Sequence, residues 1–260
     1  MMKELNAIIT IAYRDFLKFL RDRPRILATF IFPLIFIAVL GGAMNANLSE
    51  QAGYSLLVFV FTGSLGQTLF QSAAAGIISL IEDKENYFSQ EIFVSPVSRY
   101  SIILGKIIGE SVVAMIQGVG IIILGMILGV PFTLMHLVAL FPAAIFVCLL
   151  GGAFGVIVMA NLSNQRSANQ VFPFLLFPQF FLAGVFSPIK ELPIYLLILS
   201  RIAPMTYAVD LIRNVYYAGS PIAPKVTLFS LGLNSLVMAV MFVVFIVAGT
   251  YIFIKRERNR

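Results

Sequence analysis

Six apolar runs, at residues 26–43, 54–81, 101–130, 134–160, 171–186 and 226–254, take up most of the chain and leave short polar connections between them. About 20 apolar residues of helix cross the hydrocarbon core of a bilayer, and within that core every backbone N–H and C=O must find its partner inside the protein. The chain is therefore expected to be an all-α membrane protein with six transmembrane helices. Composition agrees, since 60% of residues are hydrophobic and 12% charged, against roughly a quarter charged in soluble domains. Mean hydropathy is +0.96. No stretch is left over for a soluble domain, so residues 1–260 are expected to form one membrane domain.

Six crossings put both termini on one side. That side then holds Lys3, Arg14, Lys18, Arg21, Arg23, Arg25, Lys84, Arg99, Lys106, Arg166, Lys255, Arg256, Arg258 and Arg260, and the other only Lys190, Arg201, Arg213 and Lys225. The bias places the termini and the 82–99 connection in the cytoplasm, across the cell (inner or plasma) membrane. It also accounts for the net charge of +6 without a nucleic-acid partner. Polar and amphipathic residues precede the first run, which is longer than a signal-peptide core, so it reads as a retained span.

Two regions do not read as crossings. In residues 1–25, Leu5, Ile8, Ile9, Ala12, Tyr13, Phe16, Leu17 and Leu20 share one helical face, and Lys3, Thr10, Arg14, Lys18 and Arg21 the other. This predicts an interfacial helix, either a plain anchor on anionic lipid or one that also touches a partner protein. Pro24 then turns the chain into the membrane. In residues 187–225, Pro188, Pro193, Pro204 and Pro221 divide an apolar stretch into two re-entrant or interfacial pieces on the outer side. Arg201, Asp210 and Arg213 are expected near the outer headgroups, because charge at mid-membrane is costly. Asp210 and Arg213, three apart, are spaced to pair on one helix face.

Catalytic and energy-converting chemistry is hard to find. Cys148 and His136 are single, which excludes a disulfide and a thiolate or histidine-rich metal cluster built from this chain alone. Leu104-Gly105-Lys106 lacks the second glycine and the hydroxyl residue of a nucleotide-binding P-loop, with Tyr100 and Ile107 in those places. Glu110 is the one acid inside a span, and its spacing from Lys106 reads either as an i,i+4 pair or as an ion-coupling site. Gln67, Gln71, Gln117 and Gln179 face a partner helix or line a path. The Gly105/Gly109, Gly125/Gly129 and Gly151/Gly155 spacings predict close helix packing.

The connection at 82–99 is unusual. Glu82, Asp83, Glu85 and Glu91 outnumber Lys84 and Arg99 on the side where positive charge is expected. Residues 85–94 can form a short helix exposing Tyr87, Phe88, Glu91 and Ile92, stopped by Pro96, and aromatic residues beside charges suit a protein contact.

Four features together resemble the type-2 ATP-binding-cassette (ABC) exporter permeases, which include daunorubicin-resistance, polysaccharide and teichoic-acid export subunits. These are the amphipathic N-terminal helix, "SPVSRYSIILGK" leading into the third span, "FLAGVFSPIKELPIYLLILSRIAPMTYAVDLIR" after the fifth, and the basic C-terminus. The resemblance covers essentially the whole chain. It implies a membrane subunit that is not an enzyme by itself and carries no cofactor. The subunit dimerises with an identical or paired chain and works with two separately encoded nucleotide-binding ATPase subunits that hold ATP and Mg. It also implies that the 82–99 connection is the coupling helix: Glu85, Tyr87, Phe88, Glu91 and Ile92 contact the ATPase, while Ser95, Pro96 and Arg99 shape the return. The pieces carrying Pro188, Pro193, Arg201, Pro204, Asp210 and Arg213 would gate the outer exit. Abundant Phe and Met with no deep charge point to an amphipathic, drug-like or lipid-linked cargo. The rival readings are an ion-coupled secondary transporter using Glu110 and a non-transporting membrane scaffold or channel.

Overall fold

Apolar residues recurring every three or four positions make Met2–Arg21 (α1) a helix. In the computed structural model, which describes residues 2–85, 98–162 and 164–258, α1 lies against the start of a later helix. Arg23–Ile35 (α2) runs through a π segment, Phe36–Gly41, into Gly42–Ala52 (α3). Pro33 withdraws one ladder donor just before that π segment. Gly53, at φ 71°, ends the run in the left-handed conformation that glycine tolerates. Ser55 then caps Leu56–Gly76 (α4), which leads into Ile78–Glu85 (α5).

Ser98 caps Arg99–Ile127 (α6), accepting from Ser101 N at 3.1 Å. Thr133 and His136 form a reciprocal capping box on Leu134–Met159 (α7). Asn164 caps Gln165–Leu182 (α8). Ile194–Ile202 (α9), Pro204–Tyr216 (α10), Ala223–Val226 (α11) and Leu231–Arg258 (α12) complete a fold with no strand among the described residues.

Helix α4 is the axis of the bundle and is buried along nearly its whole length. Glycines bring its neighbours close: a Cβ on Gly151 of α7 would stand 2.3 Å from Phe70 O, and one on Gly155 2.5 Å from Ala74 O. Gly66 of α4 likewise admits the backbone of α10, with Val209 Cα 2.9 Å from its Cβ position.

Among the described residues five segments are long and apolar enough to cross a membrane: Thr29–Ala52, Leu56–Asp83, Tyr100–Ile127, Leu134–Met159 and Ala223–Lys255. The count is six if α9 and α10, bent by 88° at their junction, form one broken span. Helix α8, expected as the fifth crossing, is not among the five. It opens on the polar Gln165-Arg166-Ser167-Ala168-Asn169-Gln170 and closes at Leu182, before Gly184 at φ 66°. The first span also reaches further than residue 43, because polar α3 continues the same helix.

The two ends of the bundle differ. At the basal end, Ile77, Ile81, Ile103, Ile107, Val156, Met159, Ala168 and Phe253 join α5, α6, α7, α8 and α12 in one apolar cluster, with Ile11 of α1 against it. At the opposite end α10 is buried on almost every face. Asp210 and Arg213, expected near the outer headgroups, are both enclosed by protein, which spares each charge contact with lipid.

Candidate functional site

Glycines at the start of α6 decide where α1 lies. A Cβ on Gly105 would stand 3.1 Å from Ile8 Cα, and one on Gly109 2.9 Å from Ala12 Cα. The two helices thus touch backbone to backbone, so this small-residue pair serves the interfacial helix rather than a contact between crossings. The apolar face of α1 is divided in consequence. Phe19 is buried, while Leu5, Ile9, Tyr13 and Leu20 form an exposed stripe.

Asp15 shares the inward face, and it meets Lys106 across the contact at 2.8 Å, each side chain 1% exposed. Lys106 Nζ also lies 3.5 Å from Asp83 and 3.9 Å from Glu110. Arg14 pairs with Asp83 and, at 3.0 Å, with Asp15. Burial opposes its charge, but Asp83 and Asp15 outweigh that and hold its pKa above the ordinary arginine value. Lys18 pairs with Glu82 at 2.9 Å. At the other end of α1, Glu4 accepts from Ser98 N at 3.2 Å. The Ser101 hydroxyl and the Ser98 N–H hold the Glu4 pKa below its usual value.

Both described flanks of the 86–97 connection are thus tied to α1. Glu85 closes α5 and Arg99 opens α6, which fixes where the connection leaves and returns. Tyr87, Phe88, Glu91, Ile92, Ser95 and Pro96 lie outside the described residues. The expected Lys106–Glu110 pair is present, but among the described residues it is longer than the Lys106 contacts with Asp15 and Asp83. Glu110 is seated against Gly76, where a Cβ would stand 1.9 Å from its Oε2, and accepts from Ser79 Oγ at 3.2 Å. Arg14 and Lys18, on the face expected either to bind anionic lipid or also to touch a partner protein, pair with the protein's own acids while staying partly exposed.

A cavity of about 350 Å³ opens between α2, α4, α6 and α8. Gln67, Gln71 and Gln117 line it together with Phe32, Phe177 and Phe180, so amide dipoles share one wall system with aromatic faces. Gln67 Nε2 donates to Gln71 Oε1 at 2.5 Å. Gln179 has another task, donating to Leu175 O at 3.1 Å and accepting from Met205 N at 3.3 Å. Of the four glutamines, three line this cavity and one fastens the start of α10.

At the end of the bundle opposite α1, Asp210 and Arg213 do not pair with each other. Asp210 accepts from Leu228 N at 2.6 Å, Phe229 N at 3.0 Å, and Asn214 and Asn234 side chains at 3.2 Å each. Arg213, 2% exposed, donates to Phe59 O and Val185 O at 3.3 Å each. Its guanidinium lies 3.7 Å from the Phe59 ring centroid, a distance at which a cation and a ring face attract. The i,i+3 spacing therefore does not report a pair, because each group found a nearer partner on a different element. Pro188 precedes the short 3-10 turn Ile189–Glu191, Pro193 precedes α9, and Pro204 opens α10. Arg201 is exposed, and its carbonyl accepts from Tyr207 OH at 2.7 Å. Among the described residues no three His, Cys, Asp or Glu side chains are grouped to hold a metal ion. His136 caps α7 and stacks on Tyr216, and Cys148 is buried in the core.

Residues 6–217 match the ABC-2 type transporter family. The chain belongs to that family. It is similar to the transport permease ycf38 of Cyanophora paradoxa, 25% identical over 223 residues, which are 82% of this chain and 74% of that one. It is similar to the multidrug ABC transporter permease YbhR of Escherichia coli, 27% identical over 141 residues, 54% of this chain and 38% of that one. It is also similar to nodulation protein J of Rhizobium leguminosarum bv. trifolii, 25% identical over 185 residues, 70% of each chain. This permease is thus a multi-pass membrane subunit of an ABC transporter, and its family implies partnership with ATPase subunits.

Proposed function

We propose that the permease exports an amphipathic, drug-like or lipid-linked substrate, driven by ATP bound with Mg and hydrolysed on two separate ATPase subunits. A second permease copy completes the complex, in the cell membrane, with both termini cytoplasmic. The match to the ABC-2 type transporter family over residues 6–217 carries this reading. The cavity supports the substrate class, since aromatic rings suit an apolar body and the glutamine amides suit a polar group within it. The ion-coupled alternative is weaker, because Glu110 is already engaged by Lys106 and Ser79.

In this reading Glu85, Tyr87, Phe88, Glu91 and Ile92 meet the ATPase, with Ser95, Pro96 and Arg99 shaping the return. The α9–α10 pair, with Pro188, Pro193, Arg201, Pro204, Asp210 and Arg213, closes the outer exit. Its 88° break supports that role by giving the chain a corner between two rigid pieces. Phe88→Asp is expected to lower ATPase association by about 100-fold, as loss of an aromatic interface anchor does, while membrane insertion is unchanged. Pull-down of the ATPase with the tagged permease reads this, and unchanged association would remove the coupling assignment.

A further inference from the structure

We propose that Asp15 and Lys106 are positioning residues for energy coupling: they lock α1 and both flanks of the 86–97 connection into one rigid body. The inference rests on the ATP-driven reading above and specifies how force applied at that connection reaches the bundle. Three kinds of contact converge on it. Glu4 holds the Ser98 amide at the start of α6. Arg14 and Lys18 hold Asp83 and Glu82 at the end of α5. Between these two attachments, Gly105 and Gly109 let the α1 backbone rest on α6, and Lys106 gathers Asp15, Asp83 and Glu110 around one ammonium.

The chemistry of the cluster says more than its contacts. A buried ion pair is a poor source of stability, because well-packed apolar groups of the same volume usually serve as well or better. Its best-attested use is to fix register. Here a one-turn slip of α1 would carry Asp15 about 5.4 Å along the helix axis and leave Lys106 without its partner from α1. Apolar contacts discriminate less sharply against that slip, since Ile8, Ile11, Ala12 and Phe19 put apolar residues at successive turns on this side of α1. The ammonium therefore acts as a key that accepts one placement of α1. The 86–97 connection then cannot move one flank without moving α1 and the other flank with it.

Cysteine cross-linking tests this in the permease co-expressed with its ATPase, in membrane vesicles and in a Cys148→Ala background. A Cβ on Gly105 would stand 3.3 Å from Ile11 Cβ, near the separation a disulfide requires, about 3.5–4.5 Å, and 3.1 Å from Ile8 Cα, a tight contact common to every variant compared, so rates are read only within this pair. The Ile11→Cys/Gly105→Cys pair is expected to oxidise at the same rate in the resting and the vanadate-trapped ATP states. Lys106→Met in that pair is expected to slow oxidation about tenfold, within the range of coupling mutations, and Lys106→Arg to restore it. On the native background, Lys106→Met should keep the ATPase bound yet lose permease-dependent stimulation of ATP hydrolysis, and Lys106→Arg should regain it. A tenfold drop in cross-linking on trapping, or wild-type cross-linking in Lys106→Met, overturns the rigid-body assignment. If no ATPase accompanies even the unmutated chain, the ATP-driven reading fails, and the resting-state comparison of Lys106→Met with Lys106→Arg still decides whether the ammonium sets the register of α1.

Discussion

Asp210→Ala is expected to destabilise the permease by about 3–5 kcal/mol, since each buried donor left unsatisfied costs about 1–3 kcal/mol. The carboxylate is the acceptor for Leu228 and Phe229 amides and for the Asn234 and Asn214 side chains. Two of these donors precede α12 and one lies in it, so the substitution releases the start of α12 from α10. Alanine offers no acceptor. Only the partial exposure of Leu228 and Phe229 moderates the loss, by letting water reach them. Asp210→Asn keeps one carbonyl and is expected to cost about half as much, because its amide turns a donor toward other donors. Thermal unfolding in detergent, followed by loss of the monodisperse species, measures both. Equal melting of the alanine variant and the wild type would mean that water replaces the carboxylate in full.

Gly151→Ala and Gly155→Ala should each be damaging, at the upper end of the 1–3 kcal/mol typical of overpacking, about 3 kcal/mol. The atoms in the way, Phe70 O and Ala74 O, belong to the backbone of α4 and cannot rotate aside. One methyl therefore moves a whole helix, and α4 also contacts α6 and α10. The two sites lie one turn apart on one interface, so their effects are expected to be less than additive once the helices have separated. Gly42→Ala gives the opposite sign in the same assay. Nothing lies within 4 Å of a Cβ there, and alanine gains about 0.5–1 kcal/mol over glycine in an exposed helix. A loss of stability at Gly42 matching that at Gly151 would show that close packing is not the cause.

The spans were legible because backbone satisfaction in lipid leaves a long apolar run few alternatives to a helix. Helix α8 was harder to classify: the apolar run from residue 171 suggests a crossing, yet the helix begins in polar residues and stops early at Gly184. The amphipathic character of α1 was also plain from its periodicity, but the split of its apolar face was not. That split depends on Gly105 and Gly109, residues without side chains on a helix more than 90 positions away. Asp15 was available to sequence reasoning. It lies on the same helical face as Ile8, Ala12 and Phe19, and a charge on an apolar face signals a buried partner. Asp83 carried no such signal, because it falls among other charges. Pairing of Asp210 with Arg213 was the natural reading of their spacing. It failed because distant acceptors, Phe59 O and Val185 O, and distant donors, Leu228 N and Phe229 N, compete for the same groups.

The opposite ends of the molecule use charge in two ways. At the end opposite α1, one acid and one cation of α10 each hold backbone groups, of the chain before α12 and of α4 and the Val185 turn. At the basal end, acids and cations from α1, α5 and α6 hold one another, and fix helices in register. Between the two ends lies the glutamine-lined cavity, whose described lining carries no charged side chain.

ATP dependence tests the central claim most directly. The tagged permease is expressed with its chromosomal neighbours, purified and reconstituted, and ATP hydrolysis and efflux of an amphipathic dye are followed together. An ATP-hydrolysing subunit is expected to copurify with the permease, and dye efflux to need ATP and stop with vanadate. Purification with no ATPase, together with dye transport that persists without ATP, would contradict the account.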